Sequence, residues 1–243
     1  MKFLSAIGFL TIIPVPRRAI SDDGRQVLYF PLAGLVIGCL LYGMDHLLSL
    51  TPYLEIRIVG DILFLAVITG ALHLDGLADT ADGLFSHRPR EQKLEIMKDP
   101  RTGVMGVLAL LFCILLKMAG LAGVIHSESL IWLVLAPALG RTAQVIGLVF
   151  VNHVPSEKTL AKQFYQRGKT VLLVLCPLPF AVILYLNWIV ALASLILFTL
   201  VLASLLMFFK KQIGGITGDT LGATTEIVET VFLLIGGMSA SII

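Results

Sequence analysis

Residues 104–125 read V-M-G-V-L-A-L-L-F-C-I-L-L-K-M-A-G-L-A-G-V-I, an apolar run interrupted by one lysine. About 20 such residues cross the hydrocarbon core of a bilayer as an α-helix. The 243-residue chain is 57% hydrophobic and 14% charged, with a net charge of +2, whereas a soluble domain carries about 25% charged residues. The composition therefore predicts an all-α, polytopic membrane protein, and the small net charge gives no reason to expect a nucleic-acid partner.

Similar apolar runs predict about seven transmembrane helices. They cover approximately residues 30–50, 62–74, 104–125, 130–151, 170–187, 188–209 and 221–243. A short run over residues 3–13 predicts an additional interfacial or re-entrant segment. Because no polar stretch is long enough to fold separately, we expect residues 1–243 to form a single transmembrane domain. Homo-oligomerisation is left open.

Basic residues are concentrated in alternate loops. They precede the first predicted span and follow the second, fourth and sixth, while Arg57 is an exception in the opposite loops. Cytoplasmic loops of membrane proteins are enriched in Lys and Arg. This alternation predicts a cytoplasmic N-terminus, cytoplasmic basic loops and an external C-terminus.

The acidic stretch L-H-L-D-G-L-A-D-T-A-D-G-L, residues 72–84, carries Asp75, Asp79 and Asp82. On an α-helix these side chains lie within roughly 60° of arc, where they repel one another and lose hydration near a membrane. Mg²⁺ is the usual compensation, because it takes oxygen ligands and then binds phosphate oxygens. The motif predicts a Mg²⁺ site acting on a phosphorylated substrate; a solvated helix end is the alternative. His73 points away from this face, which favours packing over metal ligation.

Cationic residues follow in M-K-D-P-R-T-G-V-M-G-V, residues 97–107. Asp99 before Pro100 predicts a helix start, with Asp99 as its N-cap. Lys98 and Arg101 flank this start, and a helix N-terminus with two cations suits a phosphate group. Membrane-topology charge or lipid-headgroup contact is the alternative interpretation of the two cations.

Two later segments place charges within apolar spans. Arg141, in G-R-T-A-Q, is a functional candidate that we expect to pair with a carboxylate, and a purely structural ion pair is the alternative. The segment G-G-I-T-G-D-T-L-G-A-T-T-E-I-V-E, residues 214–229, offers a glycine-rich loop for an anion, followed by Asp219, Glu226 and Glu229. We predict that these acids and the three aspartates share one metal-and-diphosphate pocket near Arg141. N-capping is the alternative for the loop.

Several segments resemble the cobalamin synthase family of adenosylcobinamide-GDP ribazoletransferases. In order they are F-L-T-I-I-P-V-P (9–16), F-P-L-A-G-L-V-I-G (30–38), H-L-D-G-L-A-D-T-A-D-G-L (73–84), M-K-D-P-R-T-G-V-M-G (97–106), G-R-T-A-Q (140–144) and G-G-I-T-G-D-T-L-G-A (214–223). The resemblance implies a Mg²⁺-dependent enzyme of the bacterial inner membrane. Such an enzyme joins adenosylcobinamide-GDP to α-ribazole, or its 5′-phosphate, and releases GMP.

The resemblance and the residue chemistry suggest the same roles. Asp75, Asp79 and Asp82 would hold Mg²⁺ on the diphosphate, and Lys98 and Arg101 would steady it. Asp82 or one acid of the 214–229 segment would accept the hydroxyl proton. A CDP-alcohol phosphotransferase, an intramembrane prenyltransferase and a cation transporter are the competing functions. The CDP-alcohol phosphotransferase pattern does not fit the residues that follow Asp75-Gly76. A transporter would place its acids in mid-span, whereas the acids here are predicted at the cytoplasmic ends of the spans.

The basic-loop pattern makes a topology prediction. In a cysteine-free background, Ser86→Cys should react with a membrane-impermeant maleimide only in inverted vesicles, because its loop is predicted to be cytoplasmic. Ser127→Cys, in a connection with no Lys or Arg, is the matched control and should react only in right-side-out vesicles. Labelling of Ser86→Cys from outside would contradict the proposed cytoplasmic site.

Overall fold

The computed structural model of the protein describes residues 1–20, 24–154 and 170–238. Helices account for its regular structure, apart from one isolated bridge between His153 and Ile216 in the part described. The α-helices are α1 Lys2–Leu10, α2 Phe30–Leu48, α3 Leu54–Ile68, α4 Leu72–Leu84, α5 Arg90–Ile96, α6 Val104–His126, α7 Ile131–Phe150, α8 Leu178–Leu186, α9 Trp188–Ile213 and α10 Gly218–Met238.

Five helical segments are long and apolar enough to cross a membrane. They are Arg25–Leu48, which includes α2, and the helices α6, α7, α9 and α10. The pair α3 and α4 adds a sixth if it counts as one broken span. The all-α polytopic architecture is thus confirmed, with five or six spans among the described residues where the sequence predicted about seven.

The difference lies mainly in the predicted span over residues 170–187. Its helical part is a short 3-10 turn followed by α8, which has nine residues. Nine residues give a helix of about 14 Å, about half of the hydrocarbon thickness. The last predicted span matches α10, but residues 239–243 lie outside the described part of the chain.

α7 is the central helix of the bundle. The most apolar 18-residue stretch of α7 is 83% buried, whereas the corresponding stretches of α6 and α9 are each 28% buried. α2 packs closely on it through Gly34 and Gly38: a Cβ added at Gly34 would lie 2.6 Å from the Ala138 Cα, and one at Gly38 would lie 2.6 Å from the Val134 Cα. Since glycine has no Cβ, the backbones of the two helices can come nearly into contact at these positions.

A sharp corner separates α3 from α4. Gly70 and Ala71 both have positive φ, at +58° and +55°, and the two helices meet at 88°. The sequence predicted a span over residues 62–74 that continues into the acidic motif, but the aspartates lie on a separate helix that turns away from α3. The left-handed conformation of two consecutive residues breaks the α-helical hydrogen-bond ladder and causes the turn.

The close packing of α2 on α7 gives a stability prediction. Gly38→Ala should lower the stability of the purified protein by about 1–3 kcal/mol or prevent folding, because the new methyl group meets the α7 backbone. Gly43→Ala on the same helix is the control, since a Cβ there has no neighbour within 4 Å. Unfolding in detergent checks both variants, and equal stabilities would contradict the packing.

Candidate active site

α4 and the start of α10 pack together through two glycines. A Cβ at Gly76 would lie 2.8 Å from the Asp219 carbonyl oxygen, and one at Gly222 would lie 3.2 Å from the His73 carbonyl oxygen. This contact brings Asp219 next to the aspartate helix. The predicted meeting of these two helix ends is therefore present in the structure.

Four carboxylates surround this contact. Asp75 is exposed, and Asp79, Asp82 and Asp219 are half-buried. The charges of Asp75, Asp219 and Asp82 all act unfavourably on a negative charge at Asp79. No described residue forms an ion pair or hydrogen bond with the side chain of Asp75 or Asp79. Within the described part of the chain, the group therefore has negative charge without a cation partner, which a bound cation would neutralise.

The donor chemistry of these residues fits Mg²⁺ bound together with a substrate. Within residues 1–20, 24–154 and 170–238, no three His, Cys, Asp or Glu side chains converge as a ready-made metal cage. Mg²⁺ rarely needs such a cage, because it is usually bound by one or two carboxylates, water and substrate phosphates. Asp75 and Asp79 supply two carboxylates of this kind, with Asp219 beside them.

Asp82 differs from its two neighbours because both of its oxygens bind the start of α6. Its Oδ2 accepts a hydrogen bond from the Gly103 N–H at 2.7 Å, and its Oδ1 accepts one from the Gly106 N–H at 2.8 Å. A Cβ at either glycine would collide with the carboxylate. Asp82 thus caps the α6 N-terminus, where a negative charge is favoured. The sequence grouped it with the metal ligands because spacing along α4 carries no information about α6.

The cationic loop differs from its sequence-based description in where the helix begins. α6 starts at Val104, with Gly103 as its N-cap, so Asp99 is not the cap. Instead the Asp99 carboxylate accepts hydrogen bonds from the Arg101 backbone N–H at 3.0 Å, from Nε at 2.9 Å and from Nη2 at 2.6 Å. These bonds lower the pKa of Asp99 to about 2, so the pair stays ionised above that pH. Lys98 and Arg101 are both exposed to a ligand from solvent.

Glu226 and Glu229 are buried in ion pairs. Lys117 Nζ lies 2.6 Å from Glu226 Oε2 and 2.6 Å from Glu229 Oε1, and Arg141 Nη1 binds Glu229 Oε2. Two positive and two negative side chains cancel, and all four are buried. Glu226 and Glu229 are therefore not open to substrate as the sequence predicted, and the ion-pair alternative for Arg141 describes the contact that forms.

Lys117 is the residue of this cluster that sequence reasoning missed. It is the single lysine in the apolar run that forms α6. A lysine within a span needs a carboxylate partner or access to the interface, so its position was a usable signal. The partners themselves lie more than 100 residues further along the chain.

The glycine-rich loop before α10 binds other parts of the protein. The N–H groups of Ile216 and Thr217 donate to the Asn152 carbonyl oxygen at 3.0 Å and to Thr220 Oγ1 at 2.8 Å. The Thr220 N–H in turn donates to Thr217 Oγ1 at 3.2 Å, which completes a reciprocal cap. These amides are not available to an anion, so capping, the alternative interpretation, describes the loop.

Comparison with known proteins places these features in a family. A model of the cobalamin-5-phosphate synthase family matches residues 2–237. The chain belongs to the cobalamin-5-phosphate synthase family. An adenosylcobinamide-GDP ribazoletransferase from Desulforamulus reducens is 36% identical over 96% of this chain and 95% of its own.

Two further relatives are similar over nearly the whole of this chain. Adenosylcobinamide-GDP ribazoletransferases from Roseiflexus sp. and Clostridioides difficile are 40% and 34% identical, over 97% and 96% of this chain and 88% and 95% of their own. No solved structure matches the chain significantly.

The different contacts of Asp82 and Asp79 predict different effects of their replacement on stability. Asp82→Ala should lower the free energy of unfolding by about 1–2 kcal/mol, because two N–H groups of α6 lose their partner. Asp79→Ala should leave it unchanged or raise it, because one of several repelling charges is removed. Chemical unfolding in detergent without divalent metal measures both, and a larger loss in Asp79→Ala would contradict this assignment.

Proposed function

We propose that this protein joins adenosylcobinamide-GDP to α-ribazole, or to its 5′-phosphate, and releases GMP. The product is adenosylcobalamin or its 5′-phosphate, and the step assembles the nucleotide loop of cobalamin. Family membership over residues 2–237 and the activity named for the relatives support the reaction class. The observation that carries the assignment of the site is the group of carboxylates where α4 meets α10, which form no ion pair with any described residue.

The reaction is a transfer of a substituted phosphoryl group. A ribazole hydroxyl oxygen forms a bond to the phosphorus that carries the cobinamide arm, and the bond from that phosphorus to the GMP oxygen breaks. Such transfers need positioning and charge neutralisation more than a covalent intermediate. Asp75 and Asp79 would hold Mg²⁺, which when bound supplies positive charge to the diphosphate.

The remaining site residues act on the phosphate and on the proton. Lys98 and Arg101, exposed in the loop that leads to α6, would bind the diphosphate or the departing GMP. The hydroxyl proton needs a carboxylate acceptor. Asp82 is held by the α6 N–H groups, and the two glutamates are paired with cations. Asp219 is therefore our choice of base among the acids that the sequence left open.

The membrane setting follows from the same features. The chain has several apolar helices suited to a multi-pass membrane protein. The exposed apolar faces of α6 and α9 suit contact with membrane lipid. We place the protein in the bacterial inner membrane with the site facing the cytoplasm, because the basic loops around the aspartates fit the positive-inside pattern and nucleotides are available there. Homo-oligomerisation stays an open prediction.

Purified protein tests the proposed function directly. Incubation in lipid nanodiscs with adenosylcobinamide-GDP, α-ribazole and Mg²⁺ should release GMP and form adenosylcobalamin. Asp79→Asn should reduce this rate by about 10²-fold or more, because it removes a carboxylate from the metal-binding group. Glu91→Gln, at an exposed carboxylate on α5, is the matched control and should keep the wild-type rate. Undiminished GMP release by Asp79→Asn, or no release by the wild type, would contradict the proposal.

A further inference from the structure

His73 lies in the first turn of the aspartate helix and binds α7 through both ring nitrogens. It is 2% exposed. Its Nδ1 lies 3.3 Å from Arg141 Nη2, and its Nε2 lies 3.0 Å from Gln144 Nε2. Each contact joins α4 to α7, and His73 lies two residues before Asp75.

The two contacts define which nitrogen of His73 carries the proton. An arginine guanidinium only donates, so Nδ1 has to accept from Arg141. Nε2 then carries the hydrogen and needs an acceptor. The Oε1 atom of Gln144 is buried without a partner among the described residues, and a 180° rotation of this amide brings that oxygen to His73. With Gln144 accepting at Nε2, both ring nitrogens of His73 have a hydrogen-bond partner.

The contacts of His73 continue through the bundle. Arg141 also binds Glu229 on α10 and donates to the Pro137 carbonyl oxygen at 3.2 Å, and Glu229 binds Lys117 on α6. One connected set of buried polar side chains thus joins α4, α7, α10 and α6. A hydrophobic residue at position 73 would fill the same space without joining these helices.

His73 lies directly after the corner between α3 and α4, so its contacts can hold the first turn of α4 in place. Gly70 and Ala71, with positive φ, end α3 and turn the chain by 88°. His73 is the first residue after the corner whose side chain is buried and forms polar contacts with α7. The direction in which α4 leaves the corner, and hence where Asp75 and Asp79 point, depends on how this first turn is held.

We propose that His73 is a positioning residue of the active site. By binding Arg141 and Gln144 it holds the first turn of α4, so that Asp75 and Asp79 face Asp219 across the contact between α4 and α10. This inference rests on the proposed function, because it assumes that Asp75 and Asp79 bind metal with a diphosphate and that Asp219 acts beside them. Groups that orient metal-binding carboxylates without touching the metal commonly change affinity or activity by about 10- to 100-fold when replaced.

Metal binding measured apart from turnover tests the inference. The probe is Mn²⁺ with GDP, followed by electron paramagnetic resonance of free Mn²⁺ on the full-length protein in nanodiscs. His73→Phe keeps a flat ring but removes both polar contacts, and should weaken Mn²⁺ binding by about tenfold or more and lower kcat. His73→Asn places an amide oxygen near the position of Nδ1 and keeps the Arg141 contact. It should stay within roughly threefold of the wild type.

The outcomes separate this inference from the proposed function. Wild-type Mn²⁺ affinity in folded His73→Phe, or an equal loss in His73→Asn and His73→Phe, would overturn the positioning role alone. Mn²⁺ binding by the wild type that does not depend on Asp79 would overturn the proposed site and this inference with it. If His73→Phe does not fold, Gln144→Met serves in its place. It should weaken binding by roughly threefold, and unchanged binding would overturn the inference.

Discussion

Four buried charges that cancel one another hold the centre of this helix bundle together. Lys117 on α6 and Arg141 on α7 neutralise Glu226 and Glu229 on α10, at N–O distances of 2.6 Å for both lysine contacts. An isolated charge in this environment would cost several kcal/mol, and each partner therefore constrains the helix that carries the other. The register of α10 against α6 and α7 depends on this cancellation.

The same register determines what remains available for chemistry. With Glu226 and Glu229 facing inward toward the cations, Asp219 lies seven residues earlier on α10, about 10 Å toward the start of the helix. There Gly76 allows α4 to approach closely. Five acids of α4 and α10 are thus divided by their partners. Glu226 and Glu229 have buried cations and stabilise the bundle, whereas Asp75, Asp79 and Asp219 form no ion pair with a described residue and make up the candidate site. A carboxylate without a cation partner among the described residues is the kind of group that binds a metal together with a diphosphate.

Helix ends impose a second constraint on the site. The N-terminus of α6 has unpaired N–H groups, and Asp82 satisfies two of them. This bond ties the end of the aspartate helix to the loop that carries Lys98 and Arg101. His73 ties the other end of α4 to α7. A short helix that follows a sharp corner is in this way held at both ends, and its two remaining aspartates lie between the fixed points.

The sequence by itself determined the class of the fold, the family resemblance and which residues are candidates for metal binding, phosphate binding and catalysis. Hydrophobic length and charge depletion are properties of each segment, so the spans of α2, α6, α7, α9 and α10 could be predicted without neighbours. The 88° corner, the shortness of α8 and the partners of each charge could not. Asp82 and Asp79 occupy similar positions on one helix, yet only Asp82 meets the α6 N-terminus. The tertiary structure decides between them, because hydrogen bonds and ion pairs require atoms within about 3–4 Å, brought together here from distant parts of the chain.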